Sequence, residues 1–255
     1  MTVAVDVLGA AKTFGDGPDA VHAFGPLDLE VEAGSFVALL GPSGCGKSTL
    51  LLMIAGLLTA SAGEIRLGGR VVAGPQTDIG IVFQSHVLVD WRDVLGNVLL
   101  QIDLRGLRRD AYLARANGLL SSVGLEQFAS RRPYELSGGM QQRTAFCRAL
   151  VHDPPLVLMD EPLGALDAMT REQLRADLER LWLATGKTVI LVTHSIEEAV
   201  QLADKVVVIS PRPGRVVREI EVDLARPRDL EVCETPAFHA HVAEIKRIFA
   251  SYGVI

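Results

Sequence analysis

Aromatic residues make up only 5% of the 255-residue chain, and cysteines number three. Each shortage excludes something. Cys45, Cys147 and Cys233 are odd in number, far apart and in no C-x-x-C pairing, so they supply neither a disulfide framework nor a paired thiol site. That usage fits a reducing compartment, and we expect the cytosol. Long apolar runs are missing too. The longest uncharged stretch beside an apolar run, residues 48–63, has 16 residues with Ser, Thr and Gly among them, short of the roughly 20 that a membrane-spanning helix needs. Residues 1–9 contain Asp6 and no Lys or Arg ahead of an apolar segment, which does not resemble a signal peptide. Nor is there an excess of base: 25 Lys and Arg stand against 31 Asp and Glu, a formal net charge of -6. No broad basic face is implied, so nucleic acid is not an expected partner, and any phosphate must be held locally. What is present is ordinary globular material, 49% hydrophobic and 22% charged, enough to bury an apolar core without disulfides.

Short apolar runs of strand type at 35–40, 79–83, 156–159 and 188–193 alternate with longer helical patterns. They are apolar at nearly every position, as expected of parallel strands covered on both faces by helices. Residues 3–32 alternate more loosely between Gly and Pro turns and predict an antiparallel flap. From 94 to 123 the pattern becomes two helical segments split by Gly106, before Pro133 closes the stretch, which reads as an inserted helical subdomain. Pro211-Arg212-Pro213-Gly214-Arg215 reads as a turn between strands. An amphipathic segment at 237–250 places Val242, Ile245 and Phe249 at helical spacing.

The sharpest local signal is Gly41-Pro42-Ser43-Gly44-Cys45-Gly46-Lys47-Ser48-Thr49, which satisfies G-x-x-x-x-G-K-[S/T] directly after a strand and before a helical run at 49–58. With this composition about 0.004 chance matches are expected, so a bland glycine turn is a poor explanation. Glycines let backbone amides point inward around an anion, and the following helix adds its positive end. Lys47 would then reach the β and γ phosphates, and Ser48 would offer a hydroxyl to Mg²⁺. A second acidic element is at 156–162, where an apolar strand delivers Asp160 and Glu161 at its C-terminal edge. Neighbours on a strand face opposite ways, which predicts separate roles. Asp160 suits the metal's outer shell, and Glu161 suits a water facing the γ phosphate, as general base or as its polariser. In isolation an Asp-Glu pair reads as a solvated turn; beside the phosphate loop it does not.

Leu136-Ser137-Gly138-Gly139-Met140-Gln141-Gln142-Arg143 places two glycines before a helical pattern, a further anion-binding helix start without a lysine. Alone it reads as a helix cap. Set between a phosphate loop and an Asp-Glu strand, it resembles the signature of ABC transporter nucleotide-binding subunits. The resemblance spans about residues 3–218 and implies an α/β P-loop NTPase with a RecA-like core, an N-terminal antiparallel β subdomain and an inserted α-helical subdomain. It implies one ABC ATP-binding domain over 1–255, with 1–88 and 155–220 as core, 89–154 as the helical subdomain carrying the signature, and 221–255 as a tail helix. The expected activity is ATP hydrolysis with ATP and Mg²⁺ as cofactors, by a homodimer in which Ser137, Gly138 and Gly139 cap the ATP of a second, head-to-tail copy. Met140 stands where the family often has Gln. Gln84 matches the glutamine that meets Mg²⁺ or the attacking water. Leu166-Asp167 matches the interface loop, although Asp167 is equally a turn residue. His194 matches the switch histidine that donates toward the γ phosphate. Phe14 matches the ring that stacks on adenine, with Phe24 a nearby rival.

Two helix starts are expected near these residues, a capping box at Thr170-Arg171-Glu172-Gln173 for the helix carrying Leu174, Leu178 and Leu181, and a cap at Ser195-Ile196-Glu197-Glu198. Cys233, His239 and His241 have no recognised zinc spacing and read as a solvated helix start. Within the family, Leu88-Val89-Asp90-Trp91, the run 161–171 and Ser210–Arg215 are most similar to importers of the nitrate, sulfonate and taurine type, although those relatives often carry Pro where Asp90 stands. The resemblance then implies integral-membrane permease partners, an indirect periplasmic or lipid-anchored solute-binding protein, and a peripheral place on the cytoplasmic face of the inner membrane. The apolar residues beside Gln84 are expected to dock the permease. Two rival classes remain, a soluble ABC ATPase of DNA repair or translation and a P-loop kinase. The first normally carries a long coiled-coil insert, tandem copies or a basic surface, and the second needs an acceptor pocket.

Overall fold

The loose alternation of residues 5–31 becomes a two-sided sheet. In the computed structural model, which describes residues 1–164 and 166–254, β1 (Val5–Phe14) and β2 (Val21–Val31) run antiparallel with Val5 opposite Val31. Val5 and Val7 of β1 and Leu27, Leu29 and Val31 of β2 are buried, the period-2 pattern of strands with one covered face, and Ala10, past a register shift after Val7, is buried as well. There follow β3 (Phe36–Leu40), α1 (Lys47–Ile54), β4 (Ala62–Leu67) and β5 (Arg70–Val71). β4 pairs with β1 and β5 with β4, completing a sheet of order β2-β1-β4-β5. This is the expected antiparallel region. The middle of the chain forms β6 (Gly80–Val82), α2 (Val94–Val98), α3 (Leu100–Leu104), α4 (Asp110–Ser122), α5 (Gly138–Leu150), β7 (Leu156–Asp160) and α6 (Ala168–Thr185). The last part forms β8 (Thr188–Thr193), α7 (Ile196–Leu202), β9 (Lys205–Ile209), β10 (Val216–Glu221), α8 (Leu230–Cys233) and α9 (Pro236–Ser251).

The chain divides into two compact units, Met1–Thr77 with Gly186–Ile255, and Asp78–Thr185. In the first, every residue of β3 is buried, and β3 runs parallel to both β8 and β9. A strand wedged between two others and covered on both faces has no polar side to show, hence its unbroken apolar run. β10 returns antiparallel on β9 after the 211–215 turn. α9 buries Phe238, Val242, Ile245 and Phe249 and packs on α7. In the second unit β6 and β7 pair in parallel, and α5 packs on α2, α4, α6 and β6. Among the described residues no helix is long and apolar enough to cross a membrane.

Three local expectations change. α1 runs over Lys47–Ile54 rather than 49–58, because the Leu57 and Leu58 amides both return to the Leu52 carbonyl, at 2.9 and 3.2 Å. The 94–123 stretch holds three helices, not two. The break falls at Leu99, whose carbonyl takes the Ile102 amide at 3.0 Å in a tighter i to i+3 turn. α6 begins at Ala168, so Thr170 lies inside its first turn. Asp167 caps instead, accepting the Thr170 amide at 3.0 Å, and that bond holds the Asp167 carboxyl below its ordinary range. Ala165, within the expected interface run, and Ile255, in the expected tail, lie outside the described residues.

Candidate active site

In the first unit, buried β3 hands the chain to the loop 41–46, and α1 begins at Lys47. Gly46, the N-cap, has φ 100°. A Cβ there would lie 2.7 Å from the Ala23 carbonyl, so only glycine fits both the dihedral and the space. The Lys47 ammonium donates to the carbonyls of Gly41 at 2.7 Å and Pro42 at 2.9 Å, and lies 3.7 Å from the Cys45 sulfur. It is only 4% exposed and makes no ion pair among the described residues. Burying a cation on neutral carbonyls is costly unless an anion shares the site. A phosphate chain over the loop would supply that anion, and the exposed Ser48 hydroxyl is one residue away on the same helix start.

The loop is braced from behind. The Gly25 amide donates to the Gly214 carbonyl at 3.0 Å, and Arg212 Nε donates to the Gly44 carbonyl at 3.2 Å. The proline-rich turn, expected only as a connection and a mark of the importer type, thus steadies the loop 41–46. Because Leu40 is the register partner of Thr193, the loop and His194 leave neighbouring strands at the same edge. His194 is exposed, and both its neighbours are tied: the Thr193 hydroxyl donates to Glu198 Oε2 at 2.5 Å and accepts the Ser195 amide at 3.0 Å. Ser195 caps α7 by accepting the Glu198 amide at 3.3 Å, as expected. Phe14 and Phe24 separate cleanly. Phe24 is core, whereas Phe14 ends β1 half-exposed with the Lys12 ammonium 5.2 Å from its ring centroid.

In the second unit, Val82 is the register partner of Met159, so Gln84, Asp160 and Glu161 stand at the same end of β6 and β7. β7 stops at Asp160, and Glu161 adopts φ 44°. The two carboxylates are therefore set apart by a backbone reversal at Glu161 rather than by the strand pleat alone. A non-glycine residue in this left-handed region stores strain, a frequent mark of functional positions. Ser137 caps α5, its hydroxyl accepting the Met140 amide at 3.3 Å, and Gly138 opens the helix. A Cβ at Gly139 would come 2.4 Å from Thr170 Cγ2, so glycine lets this helix start approach α6. Arg143 Nε donates to Asp177 at 2.9 Å across the same pair of helices.

Two residues with no part in the sequence reading hold the segment after Gln84. Buried Arg148 donates to the carbonyls of Val87 at 2.6 Å and His86 at 2.8 Å. Buried Asn97 accepts the Val89 amide at 2.7 Å and donates to the carbonyls of Val89, Arg92 and Asp93. The available signal was a lone cation in the otherwise apolar run 145–150. Burial draws the Arg148 guanidinium below its ordinary pKa.

A buried strand running through a glycine-rich loop into a lysine-headed helix, in a mixed α/β chain, defines the P-loop class of nucleotide-binding proteins. The comparisons narrow the class. The chain belongs to the ABC transporter family, whose model matches residues 24–164. It is similar to the "Taurine import ATP-binding protein TauB" of Rhizobium johnstonii, 50% identical over 206 residues and covering 81% of this chain and 79% of the relative. It is also similar to an "Uncharacterized ABC transporter ATP-binding protein" of Methanocaldococcus jannaschii, 46% identical over 229 residues, 90% of this chain and 86% of the relative. Among solved structures, a dimeric ATP-binding cassette in a post-hydrolysis state bound to ADP and Pi aligns with TM-score 0.75 and 33% identity, over 86% of this chain and 98% of that one. The chain is thus an ATP-hydrolysing, ATP-binding subunit of a transporter.

Proposed function

We propose that this subunit energises an importer of taurine or a related small sulfonate, as one of two copies seated peripherally on membrane permease subunits and served indirectly by a solute-binding protein. The observation that carries the reading is the 50% identity over 206 residues to a taurine import protein. A soluble repair or translation ATPase is not supported by relatives whose names are those of transporter subunits.

The functional partition into a core over 1–88 and 155–220, a helical part over 89–154 and a tail over 221–255 is part of this proposal. Gly41, Ser43, Gly44, Cys45 and Gly46 wrap the phosphates with backbone amides, Pro42 shapes the loop and offers its carbonyl to Lys47, Lys47 neutralises the β and γ charge, Thr49 continues the helix start, and Phe14 stacks on the base. Ser48, Gln84 and Asp160 present hard oxygen donors of the type Mg²⁺ prefers and would hold it. When bound, Mg²⁺ offsets the phosphate charge. Glu161 orients and deprotonates the attacking water, and His194 donates to the γ phosphate. Ser137, Gly138 and Gly139 of a second copy cover the nucleotide.

The permease contact is assigned to the segment around Trp91, which is 79% exposed and lies beside half-buried Leu88 and Val89. Co-expression with candidate permease subunits and a solute-binding protein, followed by ATPase assays in liposomes, tests the whole. Stimulation by taurine or another sulfonate is expected. A chain that stays off the membrane when the permease is present contradicts the reading.

A further inference from the structure

Arg148 lies near the end of α5, the helix that Ser137 heads, and is 8% exposed. A buried guanidinium is usually paired with a carboxylate. This one makes no ion pair among the described residues, and its two hydrogen-bond acceptors are consecutive backbone carbonyls, those of His86 and Val87, 62 and 61 residues away in sequence. The planar fork of an arginine matches two such acceptors, whereas a lysine offers a single point charge.

What it holds is strained. Val87 has φ 43°, a region costly for a β-branched side chain, and its side chain is exposed, so packing does not keep it there. Arg132, on the other side of the signature, donates to the Trp91 carbonyl, and Asn97 ties Val89 at both its amide and its carbonyl. Two arginines flanking Ser137–Gly139 thus grip the backbone of the segment that runs from Gln84 to Trp91.

We propose that Arg148 is a positioning residue of the ATPase: by clamping the His86 and Val87 carbonyls it makes the segment after Gln84 and the Ser137-headed helix move as one body. A push on that segment is then passed to the signature and to Gln84 instead of being absorbed by the loop. The inference rests on the proposed roles of Gln84 and Ser137, and deepens them.

The test uses the full-length chain with Mg-ATP, comparing wild type with Arg148→Lys, Val87→Gly, the double variant and Glu161→Gln. Arg148→Lys is expected to lower kcat about tenfold while KM and ATP affinity stay within about twofold, because it touches neither the phosphate loop nor the base site. Its melting temperature should fall by only a few degrees and stay well above the assay temperature, since charge and stem are kept and one of the two hydrogen bonds remains within reach. Glycine adopts the Val87 dihedral without strain, so in the Val87→Gly background the loss should shrink to about threefold or less, a coupled pair in the cycle. Unchanged kcat, an additive cycle, or a kcat loss accompanied by early melting or lost ATP binding overturns the proposal. Glu161→Gln separates the levels. If it is inactive while Arg148→Lys is normal, only the clamp fails; if it remains active, the assigned chemistry fails and takes the clamp with it.

Discussion

Lys47 shows how a single side chain can carry a site. Its ammonium sits on the Gly41 and Pro42 carbonyls, buried and without a carboxylate among the described residues, poised for a polyanion. Charge-assisted hydrogen bonds are worth about 1.5–3 kcal/mol each, so Lys47→Ala should weaken ATP binding by roughly 10- to 100-fold. Calorimetric titration with ATP checks this; an unchanged affinity would mean that the backbone amides alone hold the phosphates. At this scale the sequence was most readable where chemistry is local. The phosphate loop, Asp160–Glu161 and Ser137–Gly139 are fixed spacings within a few residues, and each takes its form from strand, turn and helix start. Arg148 was not readable, because its partners lie 61 and 62 residues upstream and only folding brings them together. The positive φ of Glu161 was equally hidden: besides glycine, Asn and Asp are the residues that favour a left-handed turn, and Glu is not one of them.

Elements were predicted by type more reliably than by extent. β8 matches its expected span of Thr188–Thr193, since a strand covered on both faces is apolar from end to end. Helix limits moved where hydrogen bonding, not hydrophobic period, decides them, as at Leu52, Leu99 and Asp167. The joint between α5 and α6 is also polar: nearly buried Asp177 takes Arg143 Nε at 2.9 Å and faces Arg180 at 3.4 Å. Removing one partner of a buried pair leaves the other charge stranded. Asp177→Ala should therefore cost about 2 kcal/mol, below the full buried-pair figure because Arg143 keeps some contact with water. Urea unfolding measures it, and a midpoint equal to wild type would show that the pair contributes nothing to holding the signature helix.

Across the whole molecule the residues proposed above for the chemistry are divided between the two units. The first carries the phosphate loop, Phe14 and His194, and the second carries Gln84, Asp160, Glu161 and the signature. One acid-sensitive group belongs to this scale. Burial, aided by the nearby Arg105 charge, pushes the His152 imidazole down from 6.5 to about 4. Between those values the unfolded chain binds a proton that the folded chain does not, so stability is complete above pH 6.5 and falls as pH drops toward 4. Thermal melts across that range should show the decline, and His152→Gln should flatten it. An unchanged acid slope in the variant would place the sensitivity elsewhere.

In the proposed dimer, Ser137 of a second copy completes each ATP site. Light scattering of the Glu161→Gln chain in saturating Mg-ATP tests it most directly. Twice the 27.4 kDa chain mass with one ATP per chain is expected, and a return to single-chain mass, with ATP still bound, when Ser137→Arg is added. A chain that stays at 27.4 kDa in saturating ATP, or pairs equally well with Ser137→Arg in place, would contradict it.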